Sequence, residues 1–296
     1  MAAPLLRLMR PRQWMKNLLV FAGPAAAGVL DDADHAARSA LVFVAFCLAA
    51  SGAYCLNDAA DAEADRRHPR KRFRPVASGA VSPSTARGLG AILLTAGIAV
   101  AAGTGDWQPV AVVGAYVALQ PLYTYALKHV AVVDLMIISA GFVLRAVAGV
   151  VGSDVPISDW YLIVASFGSL FLAAGKRSTE LRLGDDATAH RRSLDTYSPT
   201  FLGLVQGVAV SITLLAYCLW AFEKAAVADV DVPWFELSIV PFTALLLRYA
   251  LAHESSELLG PEEIVLTDRP LQAIGVLWAA CIGIGVYVAG TPPLTG

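Results

Sequence analysis

Charged residues are scarce in this sequence. Only 16% of its 296 residues are Asp, Glu, Lys or Arg, whereas 57% are hydrophobic. Soluble domains are about one-quarter charged and about half apolar, so this composition argues against an ordinary soluble protein and predicts an integral membrane protein. The formal net charge is −2 at pH 7, so the chain has no overall basic field of the kind that attracts nucleic acid.

The chain also lacks the signatures of disulfide frameworks, zinc sites and separate soluble domains. Its four cysteines have no CxxC spacing and lie in or beside apolar runs, where we expect them to act as small core residues. The five histidines form no HExxH pattern. No polar stretch is long enough for a soluble domain, so we predict a single transmembrane domain over residues 1–296.

Long apolar runs are abundant instead. A membrane-spanning helix needs ~20 largely apolar residues, and such runs cross lipid only as helices. Nine runs meet or approach that length, which predicts an all-α, polytopic membrane bundle. The predicted spans are 17–31, 36–56, 82–103, 107–126, 131–151, 158–177, 200–222, 233–252 and 270–290. The first follows basic residues, as in a signal peptide, but it contains Pro24 and no convincing cleavage site follows, so we predict that it is retained.

The positions of the cations predict how the chain is oriented. With the N-terminus in the cytoplasm, every Lys and Arg except Arg38, Arg145 and Lys224 falls on the cytoplasmic side of the nine spans. This asymmetry is typical of membrane proteins. We therefore expect a multi-pass protein of the plasma membrane with its C-terminus outside. Its central cavity and its active site would open to the cytoplasm.

The second span ends in the most unusual stretch of the chain. Asn57 and Asp58 are followed by Asp61 and Asp65, and six cations come within the next ten residues. On a helix, at ~100° per residue, Asp61 and Asp65 lie ~60° and ~20° from Asp58, so the three carboxylates share one face. Carboxylate oxygens suit Mg²⁺, which relieves their mutual repulsion. We predict a site for a magnesium-bound diphosphate; the alternative is a solvated cytoplasmic loop.

Basic residues at two predicted cytoplasmic helix ends are candidates for binding phosphates. Glu180 lies four residues after Lys176, so its carboxylate could pair with that lysine or face a metal. The alternative for these cations is a simple anchor on the cytoplasmic side. The candidates are Lys71, Arg72, Arg74, Lys176 and Arg177.

Two charges lie within the fifth span. Asp134 and Arg145 are eleven residues apart in the sequence, or ~16 Å along a helix. Charges inside a membrane usually face a cavity or a partner, so both are candidates for binding substrate. The alternative for Arg145 is a structural ion pair or a side chain that reaches the membrane surface. Further candidates at helix ends, which could equally be interfacial anchors, are Lys16, Asn17, Tyr123 and Lys128.

The pattern Asn57-Asp58-x-x-Asp61-x-x-x-Asp65 at a helix end in a nine-span bundle resembles the UbiA superfamily of intramembrane prenyltransferases. The resemblance covers essentially the whole chain. It implies that cytoplasmic helix ends hold Mg²⁺ and a diphosphate above a lipid-filled cavity. The motifs that narrow it to a phosphoribosyl-transferring branch are Arg10-Pro-Arg-Gln-Trp-x-Lys16-Asn17, Arg66-x-His68-Pro69-x-Lys71-Arg72-Phe73-Arg74-Pro75, Leu127-Lys128-His129 and Gly175-Lys176-Arg177.

That branch implies both substrates. The donor would be 5-phosphoribosyl 1-diphosphate, the acceptor decaprenyl (polyprenyl) phosphate within the membrane lipid, and the product a precursor of cell-wall arabinan and arabinogalactan. Ordinary superfamily members carry a second Asp-x-x-x-Asp after span six, whereas this chain has Lys176-Arg177-x-x-Glu180. The added cations suit a donor with an extra 5-phosphate. A homo-oligomer is also compatible with the family, with a trimer as the working assumption.

The residues and the resemblance together predict a role for each candidate. The predicted catalytic residues are Asp58, Asp61 and Lys16, and the predicted metal ligands are Asn57, Asp58, Asp61 and Asp65. The predicted substrate-binding residues are Lys16, Asn17, Asn57, Lys71, Arg72, Arg74, Tyr123, Lys128, Asp134, Arg145, Lys176, Arg177 and Glu180.

Two other functions fit parts of this pattern. An aromatic prenyltransferase of the same superfamily would use a prenyl diphosphate as donor, but the second aspartate motif that it would need is absent. A transporter or lipid flippase would also carry charges inside a helical bundle. Its sites usually lie near the membrane midplane at broken helices, whereas the charges here gather on one side.

Overall fold

The computed structural model describes residues 2–69, 71–182, 193–228, 232–255 and 261–288, and within them it contains helices and no strand. This confirms the all-α prediction. The last two residues of the predicted span 270–290 lie outside the described part of the chain. The helices are α1 (Ala2–Met9), a 3-10 helix (Pro11–Phe21), α2 (Ala22–Ala27), α3 (Ala33–Ala60), α4 (Ala62–Arg67), α5 (Pro83–Ala102), α6 (Trp107–Tyr125), α7 (Val133–Gly152), α8 (Asp159–Arg182), α9 (Pro199–Val227), α10 (Trp234–Ser255), α11 (Pro261–Thr267) and α12 (Arg269–Gly283), which continues as a π-helix (Ile284–Val288).

Several of these helices begin at signals that are legible in the sequence. The side chains of Ser82 and Ser198 each accept a hydrogen bond of 3.1 Å from a backbone amide in the first turn of α5 and α9. A proline, Pro83 or Pro199, occupies the first helical position after each serine. Side-chain oxygens satisfy amides that have no partner inside the helix, and proline has no amide to satisfy.

Six of the described helices are long and apolar enough to cross a membrane: α3, α5, α7, α9, α10 and the combined segment Arg269–Val288. The fold is therefore that of a polytopic integral membrane protein. Helices also lie at the predicted spans 17–31, 107–126 and 158–177 but are not among these six. At the first of these spans, a 3-10 helix and the short α2 replace a single regular helix.

Small residues let α3 and α5 approach each other closely. A Cβ atom added to Gly52 of α3 would lie 2.8 Å from the carbonyl oxygen of Gly90 in α5, and one added to Gly97 would lie 2.8 Å from that of Ala45. Contacts this short require glycine, as is common where helices pack inside membranes. The long helix α3 is thereby fixed against α5, which fixes the position of the carboxylates at its end.

A similar contact joins α7 to the N-terminal 3-10 helix. A Cβ atom at Gly149 would lie only 1.8 Å from the carbonyl oxygen of Val20. Val20 is fully buried in a cluster that also contains Val42, Phe46 and Tyr116. The N-terminal segment is therefore packed into the bundle, and Arg10 at its start reaches Asp58 near the C-terminal end of α3.

Candidate active site

Asp58 lies near the C-terminal end of α3 and is 1% exposed. Its Oδ1 accepts hydrogen bonds from Arg10 Nη2 at 2.6 Å and from Arg74 Nη1 at 3.4 Å. Its other oxygen, Oδ2, is buried and accepts no hydrogen bond from any residue that the structure describes. A buried oxygen without a partner is costly, which indicates that this atom serves a ligand.

Arg74 joins two of the predicted carboxylates. It follows a 3-10 turn at Lys71–Phe73, and its Nη1 lies 2.7 Å from Asp65 Oδ2 as well as 3.4 Å from Asp58 Oδ1. Asp65 belongs to α4 and is also 1% exposed. Asp58 and Asp65 therefore lie close together, although on two separate helices, and one guanidinium bridges them.

Asp61 occupies a different environment because the helix breaks at this residue. It is the C-terminal cap of α3 and directly precedes α4, so the stretch is not one continuous helix. Its Oδ1 is bound by Lys128 Nζ at 2.9 Å, from the 3-10 turn Leu127–His129. The neighbouring Asn57 is tied to the same region, since its Oδ1 accepts a hydrogen bond from Thr124 of α6.

Arg10 is a site residue that sequence reasoning did not single out. It precedes the 3-10 helix with φ 52° and ψ 62°, in the left-handed region, and its guanidinium lies 4.7 Å from the ring centre of Tyr54. A left-handed conformation is unusual for a residue with a side chain and is often associated with function. The basic motif that contains Arg10 was a signal, but nothing in it indicated which arginine meets Asp58.

Lys16 and Asn17 follow Arg10 on the 3-10 helix but point to different neighbours. Lys16 Nζ donates a 2.6 Å hydrogen bond to Gln13 Oε1, which also accepts one of 3.4 Å from Tyr54. Gln13 thus links Lys16 to Tyr54, the residue whose ring Arg10 covers. Asn17 is fully buried and accepts a 2.6 Å hydrogen bond from Arg145 Nε.

Arg145 lies in a separate cluster away from the carboxylates. Besides Asn17, its guanidinium donates to the carbonyl oxygen of Gly141 and, at 3.0 Å, to the hydroxyl of Tyr116. It also lies over the rings of Phe46 and Tyr116, at 5.4 and 4.7 Å from their centres. Protein groups thus surround this cation, which favours the structural alternative for Arg145 and Asn17 over contact with substrate.

Arg177 is the centre of a third cluster, at the end of α8. It is fully buried, and its Nε lies 2.7 Å from Asp134 Oδ2, which is also fully buried at the start of α7. Its Nη1 binds Glu180, and its Nη2 donates a 2.9 Å hydrogen bond to the hydroxyl of Tyr123. Since Tyr123 adjoins Thr124, which binds Asn57, α6 connects this cluster to the end of α3.

The remaining predicted cations, Lys71, Arg72 and Lys176, lie close to Arg74 or Arg177 in the sequence. Arg72 stacks its guanidinium over the ring of Phe73 at 4.8 Å, and it is exposed. Lys71 and Lys176 are partly exposed, beside Arg72 and Arg177 respectively. These side chains are accessible to a phosphate that approaches from solvent.

Two further residues bind Asp134, and no sequence pattern pointed to either of them. The hydroxyl of Tyr197 donates to Asp134 Oδ1, and that of Ser193 lies 3.2 Å from Asp134 Oδ2. Burial and the hydrogen bond to Asp134 raise the pKa of Tyr197, so its hydroxyl stays protonated near neutral pH. Both residues reach this region from the segment that precedes α9.

The side chains of Asn57, Asp58, Asp61 and Asp65 offer the kind of ligand atom that a hard divalent cation prefers. All the candidate ligands offer oxygen, and Asp58 Oδ2 is buried without a hydrogen bond from the described part of the chain. Among the described residues, no group of three or more His, Cys, Asp and Glu side chains comes close enough to hold a metal by itself. A metal at this position would therefore complete its coordination with oxygens from a bound substrate or water, as Mg²⁺ commonly does.

Comparison with known proteins identifies the family and the fold of this chain. A model of the UbiA prenyltransferase family matches residues 18–259. The chain belongs to the UbiA prenyltransferase family. A UbiA homolog from Archaeoglobus fulgidus, bound to GPP and Mg²⁺, superposes with a TM-score of 0.74 and 17% identity over 96% of this chain and 99% of that chain. At this identity the likeness shows the fold alone.

Within the UbiA family, two relatives are much more similar in sequence. The decaprenyl-phosphate phosphoribosyltransferase of Mycolicibacterium smegmatis is 43% identical, over 96% of this chain and 92% of that protein. The protein of the same name from Corynebacterium glutamicum is 41% identical, over 97% of this chain and 88% of that protein. The phosphoribosyl-transferring branch of the family is therefore the one that this chain resembles over nearly its full length.

Proposed function

We propose that this protein transfers the 5-phosphoribosyl group from 5-phosphoribosyl 1-diphosphate to decaprenyl phosphate or a similar polyprenyl phosphate. The observation that carries the proposal is the pairing of three helix-end carboxylates with three cations from separate segments, Arg10, Arg74 and Lys128. This arrangement suits a metal-bound diphosphate. The names of the relatives give the acceptor, decaprenyl phosphate, and the transferred phosphoribosyl group, from which we infer 5-phosphoribosyl 1-diphosphate as the donor. The product would be a precursor of cell-wall arabinan and arabinogalactan.

The carboxylates and the cations have complementary tasks in this proposal. Asp58 and Asp61, with Asp65 and Asn57 directly or through water, would hold Mg²⁺, which when bound neutralises charge on the diphosphate. Arg10, Arg74 and Lys128 lie where they can exchange a carboxylate for a phosphate oxygen of the donor. Arginine can bind two phosphate oxygens at once, which also orients the donor.

The outer cations are proposed to bind the donor's other phosphate. Lys71, Arg72 and Lys176 are accessible, and a charged 5-phosphate needs such partners. We assign Lys16, whose ammonium group binds Gln13, to the acceptor phosphate. The fully buried Arg177 already binds two carboxylates, so we assign it the task of holding α8 against α7.

The reaction itself requires positioning more than proton transfer. A phosphate oxygen of the acceptor forms a bond to the anomeric carbon of the ribose, while the bond from that carbon to the diphosphate oxygen breaks. The diphosphate leaves with the bonding electron pair. Because the acceptor phosphate is already ionised near neutral pH, no general base is needed, and catalysis comes from alignment and charge stabilisation.

We also propose that the whole chain, residues 1–296, is one domain with nine spans. In this topology the 3-10 helix with α2, α6 and α8 cross the membrane in addition to the six apolar helices. The N-terminus and the active site face the cytoplasm, where 5-phosphoribosyl 1-diphosphate is a soluble donor. The acceptor's tail lies in the surrounding lipid of the plasma membrane.

The position of a radioactive label tests the reaction directly. Purified protein in detergent receives decaprenyl phosphate, Mg²⁺ and donor labelled either on the 5-phosphate or on the diphosphate. We expect the 5-phosphate label to become extractable into organic solvent, the diphosphate label to stay in water, and a chelator to abolish the transfer. Failure to label the lipid, together with prenylation of an aromatic acid from a prenyl diphosphate, would favour an aromatic prenyltransferase instead.

A further inference from the structure

The loop between α6 and α7 carries Lys128 and is held in an unusual conformation. Val132, the residue before α7, has φ 68° and ψ −47°. A β-branched side chain is rarely found at positive φ, and such strain persists only where surrounding contacts impose it. The loop therefore needs an external restraint to keep this shape.

Tyr197 and Ser193 provide that restraint. The backbone amide of Val132 donates a 2.6 Å hydrogen bond to the hydroxyl of Tyr197, which itself donates to Asp134. The hydroxyl of Ser193 lies 3.0 Å from the backbone carbonyl oxygen of Lys128. The segment before α9 thus contacts the loop at two positions, Lys128 and Val132.

The restrained loop bears directly on the carboxylate region. Lys128 Nζ lies 2.9 Å from Asp61 Oδ1, and the side chain of Lys128 is only 13% exposed. A long lysine side chain keeps one direction only if its backbone is fixed, because each free rotation scatters its ammonium group. Release of Val132 or of the Lys128 carbonyl would move the base of this side chain.

We propose that Tyr197 and Ser193 are positioning residues for the donor, and that they act by holding Lys128 in register with Asp61. The inference rests on the proposed function, since it assigns Lys128 to the bound donor. Neither hydroxyl needs to touch a substrate. Their effect is on how well Lys128 is placed to bind a phosphate oxygen.

A packing role for the aromatic ring can be separated from this one. The ring of Tyr197 stacks on that of Phe201, with centres 5.7 Å apart and planes within 5°. Tyr197→Phe keeps this stacking and removes only the hydroxyl that holds Val132 and Asp134. A change in that variant reports on the hydrogen bonds and not on the ring.

The test is steady-state kinetics with 5-phosphoribosyl 1-diphosphate as the varied substrate. We expect Tyr197→Phe to raise the KM for the donor about 5- to 20-fold with kcat changed less than about twofold, because misplacement of a binding group weakens binding. In a Lys128→Met background, Tyr197→Phe should change KM less than about twofold, since residues that act through one another are non-additive. Ser193→Ala is a second variant with the same expectation.

Tyr217→Phe is the matched control, because it also removes a buried tyrosine hydroxyl, one that is bonded to Ser238 and Trp278. Its donor KM should equal that of the wild type. The inference is overturned if Tyr197→Phe and Ser193→Ala leave the donor KM unchanged, or if their effects add fully to that of Lys128→Met. If the wild type itself transfers no phosphoribosyl group, the proposed function fails, and this inference fails with it.

Discussion

Removal of the buried cation Arg177 should destabilise the protein strongly. Arg177→Met keeps much of the side-chain volume but leaves Asp134 fully buried without its counter-ion at 2.7 Å. Breaking a buried ion pair by removing one partner typically costs ~3–5 kcal/mol. Asp134 retains the hydroxyls of Tyr197 and Ser193, so we place the loss at the lower end of that range, ~3 kcal/mol.

The assay is reversible unfolding of the purified protein in mixed detergent micelles, followed by tryptophan fluorescence. Arg248→Met is the matched control: it also removes an arginine that is paired with an aspartate, Asp268 at 2.7 Å, but this pair is partly exposed and should contribute little. The double variant Asp134→Asn with Arg177→Met should recover part of the lost stability, because it removes the uncompensated charge.

The result that would refute this reasoning is equal stability of the Arg177→Met and Arg248→Met variants. Such equality would mean that the buried pair of Arg177 and Asp134 stabilises the fold no more than a partly exposed pair does. A double variant less stable than Arg177→Met alone would also refute it, since the charge on Asp134 would then not be the cause of the loss.

Two further predictions concern the metal site and the helix packing. Asp61→Asn should lower the rate of transfer about 100-fold or more while the protein stays folded, because it removes charge where the diphosphate leaves; Glu63→Gln, an exposed neighbour, should retain the wild-type rate in the same assay. Gly149→Ala should cost ~1–3 kcal/mol in the unfolding assay, because the new methyl group meets the carbonyl oxygen of Val20 and overpacks the contact. Gly207→Ala, where a Cβ atom meets nothing within 4 Å, should be neutral or stabilising, and the packing argument fails if the two glycine variants behave alike.

Features that depend on local periodicity were predictable from the sequence. Asp58 and Asp65 are seven positions apart, close to two helical turns, and they meet the same guanidinium despite the break between α3 and α4. The apolar runs likewise predicted where helices lie. The helix ends differ from the predicted bounds, since the predicted span 36–56 corresponds to a helix that continues through the polar residues to Ala60.

Pairings between distant segments were not predictable in the same way. Arg10 and Asp58 are 48 residues apart, and Lys128 and Asp61 are 67 apart. No periodicity relates such pairs, so only the packed bundle decides which cation meets which carboxylate. Tyr197 had no signal for a related reason: its hydroxyl matters because of a strained backbone at Val132, which a sequence pattern does not reveal.

The intramembrane charge Arg145 shows how packing resolves an ambiguity. Its position in the same predicted span as Asp134 made both charges candidates for binding substrate. In the folded chain, Arg145 contacts Asn17 and Tyr116, whereas Asp134 contacts Arg177. Arg145 thus joins α7 to the N-terminal 3-10 helix and to α6, whereas Asp134 joins α7 to α8. Only the packing of the bundle determines which helices lie beside α7 at each of these two positions.

The mass of the lipid product tests the central claim most directly. The wild type, Asp58→Asn and the control variant Asp106→Asn are each incubated with decaprenyl phosphate, 5-phosphoribosyl 1-diphosphate and Mg²⁺. The lipid is then extracted, and its molecular mass is measured by mass spectrometry. We expect the wild type and Asp106→Asn to increase the acceptor's mass by one phosphoribosyl group, and Asp58→Asn not to. An unchanged acceptor with the wild type, or full activity of Asp58→Asn, would contradict phosphoribosyl transfer at these carboxylates.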